Sequence, residues 1–172
     1  MNKYLTKNFV TLITLAFISL YVLLYVSASI SYENSFYNPQ IPESVLDSVN
    51  QQRQEMTVSS IFVNNVAVSI ITLIPLVGVL LFSGTMFNTG TVIGYLAYAT
   101  GYTPLTYLLA ITFPVGLLEI LAYSLLIAES ITLLYCIAQR AELKNRLLTN
   151  TWKTLIFYAI LLFVGSVIEA TV

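Results

Sequence analysis

The stretch from Asn8 to Tyr32 contains no charged residue, and most of its side chains are apolar. An α-helix needs about 20 apolar residues to cross the roughly 30 Å of hydrocarbon in a bilayer, so the stretch is long enough for one crossing. Ser27-Ala28-Ser29 resembles a signal-peptide cleavage site, but the apolar core of a signal peptide covers only about 7–15 residues. The sequence therefore predicts a retained membrane helix over 9–30.

The whole chain shares this apolar character. Of its 172 residues, 58% are hydrophobic and 9% are charged, whereas a soluble domain has about 25% charged residues. So few charges cannot cover a water-facing surface, which excludes soluble enzymes, nucleic-acid-binding proteins and disordered tails. The formal net charge of −1 leaves no basic surface for nucleic acid. We predict an all-α, multi-pass protein of the cell membrane, embedded in the lipid bilayer.

Polar interruptions divide the apolar sequence into five predicted transmembrane helices within one membrane domain, residues 1–172. The helices are expected at about 9–30, 60–82, 86–101, 105–138 and 154–170, with a polar outer loop at 31–59 and a polar inner loop at 139–153. The fourth helix contains Pro114 and Gly116. Because a proline in mid-helix removes a backbone hydrogen bond and clashes with the preceding turn, we expect this helix to be broken around Pro114.

The basic residues predict the orientation. Six of the seven occur in two clusters, which contain Lys3 and Lys7 and then Arg140, Lys144, Arg146 and Lys153. Short loops rich in lysine and arginine stay in the cytoplasm. Five crossings place both clusters on the cytoplasmic side, whereas four or six would place one of them outside. We therefore expect a cytoplasmic N-terminus and a C-terminus outside.

Glu119 is the sharpest candidate for a functional residue, because apolar sequence flanks it on both sides. A carboxylate at the centre of a membrane costs about 3 kcal/mol on insertion scales, and such residues are functional candidates by default. Since no predicted span contains a lysine or arginine, we expect Glu119 to keep its proton or to accept hydrogen bonds from asparagines and freed backbone amides. The alternative is that it stabilises the helix break after Pro114.

Other polar residues extend this candidate intramembrane polar site. Asn64 and Asn65 stand at the head of the second predicted helix and Asn88 at the head of the third. They either make hydrogen bonds between helices or line a polar cavity. Glu129 follows Glu119 by ten residues, about 15 Å along a helix. The two glutamates either form a two-step acidic path, or Glu129 simply approaches the inner interface.

The third predicted helix has a face of small residues, which are Gly90, Gly94, Ala97 and Gly101. Small residues let helix backbones approach closely, and this drives helix association in lipid. We expect this packing face to contact the broken helix. The alternative is a substrate groove lined by the neighbouring tyrosines.

Signatures of enzymes are missing from the sequence. There is no histidine, Cys136 is the single cysteine, and no metalloprotease, serine-hydrolase or phosphate-loop motif occurs. We predict a protein that is not an enzyme and that has no catalytic, cofactor-binding or metal-binding residues.

Four elements resemble, in their order and spacing, the stage II sporulation protein M family. They are Ile61-Phe62-Val63-Asn64-Asn65, Asn88-Thr89-Gly90-Thr91-Val92-Ile93-Gly94, Pro114-Val115-Gly116-Leu117-Leu118-Glu119-Ile120-Leu121-Ala122 and Ile168-Glu169-Ala170. The resemblance implies a five-span membrane protein. In spore-forming bacteria, family members assemble partner proteins at the membrane during engulfment. The family histidine between proline and glycine is Val115 here, so no role of an imidazole carries over. Abundant Tyr, Ile and Thr with few charges would suit an archaeal member.

Two functions remain open from the sequence. The first is a non-enzymatic assembly or scaffold component of a membrane protein complex. It would bind other membrane proteins, or a second copy, through Gly90, Gly94 and Ala97 and the outer loop. The second is a transporter or channel subunit that uses Glu119 beside the helix break, where the ends of half-helices can form a site at the bilayer midplane.

Overall fold

The computed structural model describes residues 3–54, 56–139 and 143–171, and these residues form helices and turns without any strand. The helices are α1 (Lys3–Ser35), α2 (Gln40–Gln54), α3 (Val58–Ser69), α4 (Val77–Thr100), α5 (Pro104–Ile111), α6 (Leu117–Ala138), α7 (Leu143–Arg146) and α8 (Trp152–Glu169). A 3₁₀ turn, Ile70–Leu73, continues α3, and π-helical turns at Thr112–Gly116 and Leu147–Thr151 precede α6 and α8. The predicted all-α class is confirmed.

Four helical stretches of the described residues are long and apolar enough to cross a membrane. They are Asn8–Ser35, Val77–Thr100, Pro104–Ala138 and Leu143–Glu169. A fifth apolar helix, Val58–Leu73, is shorter. The fold is therefore that of a multi-pass membrane protein, but the number of full-length spans is one lower than the predicted five.

The difference arises where the second and third helices were predicted to meet. The sequence placed this boundary between Phe82 and Met86, but α4 runs without interruption through both residues. The Ser83 hydroxyl bonds to a carbonyl of the preceding turn, so this polar residue continues the helix. The chain turns instead at Pro75, which cannot donate a backbone hydrogen bond. Leu76 follows with a positive φ of 67°.

Helices α1 and α4 run parallel and in close contact. Gly90 faces Leu24 and Ser27 of α1, and one turn later Gly94 faces Ala28 and Ser31. A β-carbon at either glycine would clash with the α1 backbone, so only glycine permits this approach. The small face of α4 therefore packs against α1, and not against the broken helix as we had expected.

The parallel arrangement requires the chain between α1 and α4 to return along the bundle. Helix α3 and its 3₁₀ turn do this, with a combined rise of about 26 Å. This is close to the roughly 30 Å of hydrocarbon in a bilayer. Val58–Leu73 thus runs back along the bundle, although it is shorter than the four candidate membrane helices. The polar helix α2, which lies in the predicted outer loop, packs against α4.

Helices α6 and α8 form an antiparallel pair. Glu129 near the end of α6 meets Thr154 near the start of α8, and Glu119 near the start of α6 lies against Gly165. Buried Leu126 and Leu162 fill the core around this pair. The pair thereby fixes the positions of both glutamates of α6. Of the predicted inner loop, Arg140 lies outside the described residues.

Candidate functional site

The depth of Glu119 follows from its position along α6. The guanidinium carbon of Arg146 lies 5.1 Å from the centre of the Phe9 ring, and Arg146 binds Glu129. Glu129 is therefore near the start of the apolar run 9–30. Glu119 comes ten residues earlier on α6, about 15 Å toward the other end of the bundle. Since this is half of the roughly 30 Å of hydrocarbon, Glu119 lies level with the middle of that run.

A groove at the surface of the bundle leads down to Glu119. It has a volume of about 390 Å³ and is lined by Gln52, Met56, Ser60, Ile61, Asn64, Asn65, Glu119 and Glu169. These residues come from the α2–α3 junction, α3, α6 and the end of α8. The α2–α3 junction forms the mouth at the Ser35 end of the bundle, and Glu119 forms the deepest polar group. We call this feature the α3 groove.

Glu119 is only partly satisfied by the rest of the molecule. The Asn65 side-chain amide donates a hydrogen bond to Oε1 of Glu119. Glu119 also lies in the first turn of α6, where the positive end of the helix dipole favours a carboxylate. No lysine or arginine of the described residues forms an ion pair with it. A carboxylate can accept about four hydrogen bonds, so most of its capacity is unused.

Asn64 is the most unusual residue of the α3 groove. It is exposed, whereas its neighbour Asn65 is half-buried and pairs with Glu119. Its side-chain amide has no hydrogen-bond partner among the described residues, and it lines the same groove as Glu119. An amide with two donors and an acceptor therefore faces outward near the level of Glu119.

Hydrogen bonds and ring contacts close the groove below Glu119. Ser69 and Tyr158 join α3 to α8 through a 2.6 Å hydrogen bond between their buried hydroxyls. The Tyr123 ring packs edge-on against the Phe82 ring, with centroids 5.1 Å apart. The groove is therefore open toward the Ser35 end of the bundle and closed toward the other end.

Glu129 occupies a different and closed site. It is fully buried, and Arg146 holds it through both carboxylate oxygens, with Nε of Arg146 3.0 Å from Oε1. The Thr151 hydroxyl donates to Oε1 at 2.6 Å, and Thr154 adds a longer bond to Oε2. Glu129 thus has a cation and hydroxyl donors from the same chain. The packed region of Ser69 and Tyr158 separates it from Glu119, so the two glutamates do not share one cavity.

Sequence reasoning missed the role of Arg146, which it placed among the loop residues that set the orientation. The spacing of the residues around the turn near residue 140 could have indicated this role. In an antiparallel hairpin that turns near residue 140, position 129 lies opposite about position 151, and Thr151 and Thr154 are hydroxyl residues on one face of a helix. A buried glutamate at position 129 therefore had donors and a nearby cation within reach.

The structure brings together only some of the other candidate residues. Asn64 and Asn65 lie with Glu119 in the α3 groove, whereas Asn88 is exposed on α4 and does not line it. Gly101 ends α4 with a φ of 76°, a conformation that suits glycine. Ala97 is fully buried.

The chain around Pro114 positions the start of α6. Between α5 and α6, Phe113 has non-helical φ and ψ angles of −104° and 126°. The carbonyl oxygen of Val115 then lies beside Gly165 of α8, next to the side chain of Glu119. This segment therefore sets where the first turn of α6, and with it Glu119, meets α8.

Comparison with known proteins identifies the family. The family model of stage II sporulation protein M matches residues 9–172, which is nearly the whole chain. The match extends beyond the four elements that carried the resemblance and includes α1 and α2. Among curated proteins and among solved structures, none matches this chain. From the match over residues 9–172, we conclude that the chain belongs to the stage II sporulation protein M family.

Proposed function

We propose that this protein is a non-enzymatic subunit of a membrane protein complex and binds another membrane protein through the α3 groove. The observation that carries the proposal is the exposed, unpartnered amide of Asn64 near the level of Glu119. Inside a bilayer an unsatisfied polar group costs several kcal/mol. A partner helix over the groove would supply the missing hydrogen bonds.

The surface around Asn64 suits such a partner. Ser60 and Ala67 lie one turn before and one turn after Asn64, and both are exposed. Small residues let a second helix approach closely, and a polar side chain between them adds an interhelical hydrogen bond. The stripe Ser60, Asn64 and Ala67 therefore combines the two features that favour helix association in lipid.

The proposed partner surface differs from the one expected from the sequence, which was the small face of α4. Gly90 and Gly94 contact α1, and Ala97 is buried, so that face is occupied within the molecule. The predicted outer loop remains part of the proposal, because α2 adjoins the mouth of the α3 groove through Gln52. With the N-terminus in the cytoplasm and the C-terminus outside, the mouth faces the outside of the cell membrane.

Site-specific photo-crosslinking in native membranes tests the proposal. A photoreactive amino acid at position 64 should form adducts with a membrane protein. The matched control is position 18, because Ile18 is also exposed (53%) and lies on α1 within the apolar run. Adducts with protein at position 64 and only with lipid at position 18 support the proposal. Adducts only with lipid at both positions contradict it.

The depth of the α3 groove favours a second candidate, a transporter or channel subunit. The groove reaches from the Ser35 end to a carboxylate near the bilayer midplane, as a solute site would. In this case, the variant Glu119→Gln should abolish ion or solute flux in liposomes and leave the complex assembled. For an assembly subunit, the wild-type protein and the variant should both show no flux.

A further inference from the structure

We infer that the helix occupying the α3 groove belongs to a different protein and places a lysine or arginine against Glu119. The inference rests on the proposed function and specifies the chemistry of the partner. The inference follows from the charged groups that line the groove and from the positions of the chain's own lysines and arginines.

The groove has more acceptors than donors. Its two carboxyl groups are Glu119 and Glu169, and its amides are Asn64, Asn65 and Gln52. Arg53 acts electrostatically on Glu169 near the mouth, whereas no cation acts on Glu119 among the described residues. A cation with several donors, such as an ammonium or guanidinium group, complements this arrangement.

The size and shape of the groove suit a long basic side chain. A volume of about 390 Å³ falls at the lower end of the range for pockets that bind small molecules. Met56 and Ile61 provide apolar surface on the way from the mouth to Glu119. Lysine and arginine bury their methylene stems along such surface while the charged group reaches a polar partner.

Glu129 shows how this fold satisfies a buried glutamate. It receives a bidentate arginine and hydroxyl donors, all from the same chain. Among the described residues, Glu119 has one amide donor and no cation. Removing the cation from a buried pair is strongly destabilising. The guanidinium or ammonium group that Glu119 lacks is therefore what a partner would contribute.

Among the described residues, a second copy of this chain has no suitable cation to give. Arg146 is bound to Glu129, and Lys144 and Lys153 lie at the end of the bundle opposite the groove mouth. Arg53 lies at the mouth, near Glu169. Among the described residues, no basic side chain therefore occurs on a membrane-spanning helix at the level of Glu119. This argues for a partner of different sequence.

The test uses the full-length protein, a fluorescent label and designed transmembrane peptides about 20 residues long. The peptides are leucine–alanine helices that differ only at the central position, which is lysine or leucine. Binding is measured by energy transfer in detergent micelles and again in bilayers. We expect the lysine peptide to bind at least about tenfold more tightly than the leucine peptide. The variant Glu119→Gln should remove this difference.

Matched variants identify the site. Glu43→Gln also removes one carboxylate, but Glu43 is exposed on α2 and does not line the groove. It should leave the tenfold preference unchanged. Because the glutamine of Glu119→Gln can still accept the hydrogen bond from Asn65, this variant should keep the helical content and melting curve of the wild type, which circular dichroism checks.

Two results would overturn the inference. Equal affinity for the lysine and leucine peptides shows that no cation is required. Energy transfer between two labelled copies of the protein that disappears in Glu119→Gln shows that a second copy fills the groove. Either result leaves the proposed function in place if position 64 still crosslinks to a membrane protein. Lipid adducts alone at position 64 contradict the proposed function itself.

Discussion

Helix α6 contains two glutamates whose surroundings differ in almost every respect. Glu129 is fully buried and bound by Arg146, Thr151 and Thr154. Glu119 lines an open groove and has the amide of Asn65 as its donor. The first glutamate lies near the start of the apolar run of α1, at Phe9, and the second lies level with the middle of that run.

The comparison separates a structural acid from a candidate functional one. At the Glu129 site, the chain itself supplies the charge and the hydrogen bonds that a buried carboxylate needs. At the Glu119 site the chain supplies only part of them, in the region where burial costs most. An intramembrane acid is therefore structural when its own chain supplies the counter-charge and the hydrogen bonds. It is a candidate functional residue when the chain supplies only part of them. The predictions below test this difference, from the largest expected effect to the smallest.

Arg146→Ala should have the largest effect. It leaves Glu129 buried without a counter-charge, and breaking a buried pair in this way lowers the free energy of unfolding by about 3–5 kcal/mol. Unfolding in mixed micelles, followed by circular dichroism, measures the loss. The control is Lys144→Ala, which removes an exposed charge from the same short helix. If both variants have the same free energy of unfolding, buried Glu129 does not need Arg146 as its counter-charge.

Gly94→Ala should have an intermediate effect, because α1 fixes the level of both glutamates in the bundle. The added β-carbon would meet the backbone of Ala28 and the hydroxyl of Ser31. Forcing the helices apart typically costs about 1–3 kcal/mol. Gly84→Ala is the matched control on the same helix, since no atom of the described residues lies within 4 Å of its added carbon.

The control should leave the free energy of unfolding unchanged or raise it by up to about 1 kcal/mol, because alanine is the better helix former. The same unfolding assay compares the two variants. Equal stability of both would show that the contact between α1 and α4 is looser than described, and the depth assigned to Glu119 would lose its support.

Tyr158→Phe should have a smaller effect. It removes the Tyr158 hydroxyl, whose hydrogen bond to Ser69 closes the α3 groove on the side of Glu129 in the wild type. Hydrogen bonds between membrane helices contribute about 0.6 kcal/mol on average, up to about 1.7. Unfolding of this variant is compared with that of Tyr135→Phe, which alters an exposed tyrosine. A loss above about 3 kcal/mol would show that the two sites are coupled and not separate.

Much of the fold was predictable because apolar runs and prolines act locally. The run that begins at Phe9 predicted α1, and the charge pattern separated the polar α2 from the membrane helices. The predicted boundary between Phe82 and Met86 was wrong, and the gap holds the polar residues Ser83 and Thr85. Their hydroxyls instead bond to carbonyls of their own helix, as serine and threonine often do in helices.

The site was predictable only in part. Glu119 was identified from its apolar flanks alone, and its pairing with Asn65 was among the expected options. The α3 groove depends on how α3 packs against α8, which no local pattern encodes. The partner of the small face was also wrong, because Gly90 and Gly94 indicate that a helix approaches closely but not which helix it is.

The most direct test makes the same substitution at both glutamates. Glutamine at position 119 still accepts the hydrogen bond from Asn65, so Glu119→Gln should change the free energy of unfolding by less than about 0.5 kcal/mol. Glutamine at position 129 leaves Arg146 without a counter-charge, so Glu129→Gln should lower it by about 3 kcal/mol. Equal losses in the two variants, or a larger loss at position 119, would contradict the distinction between a satisfied and an unsatisfied glutamate.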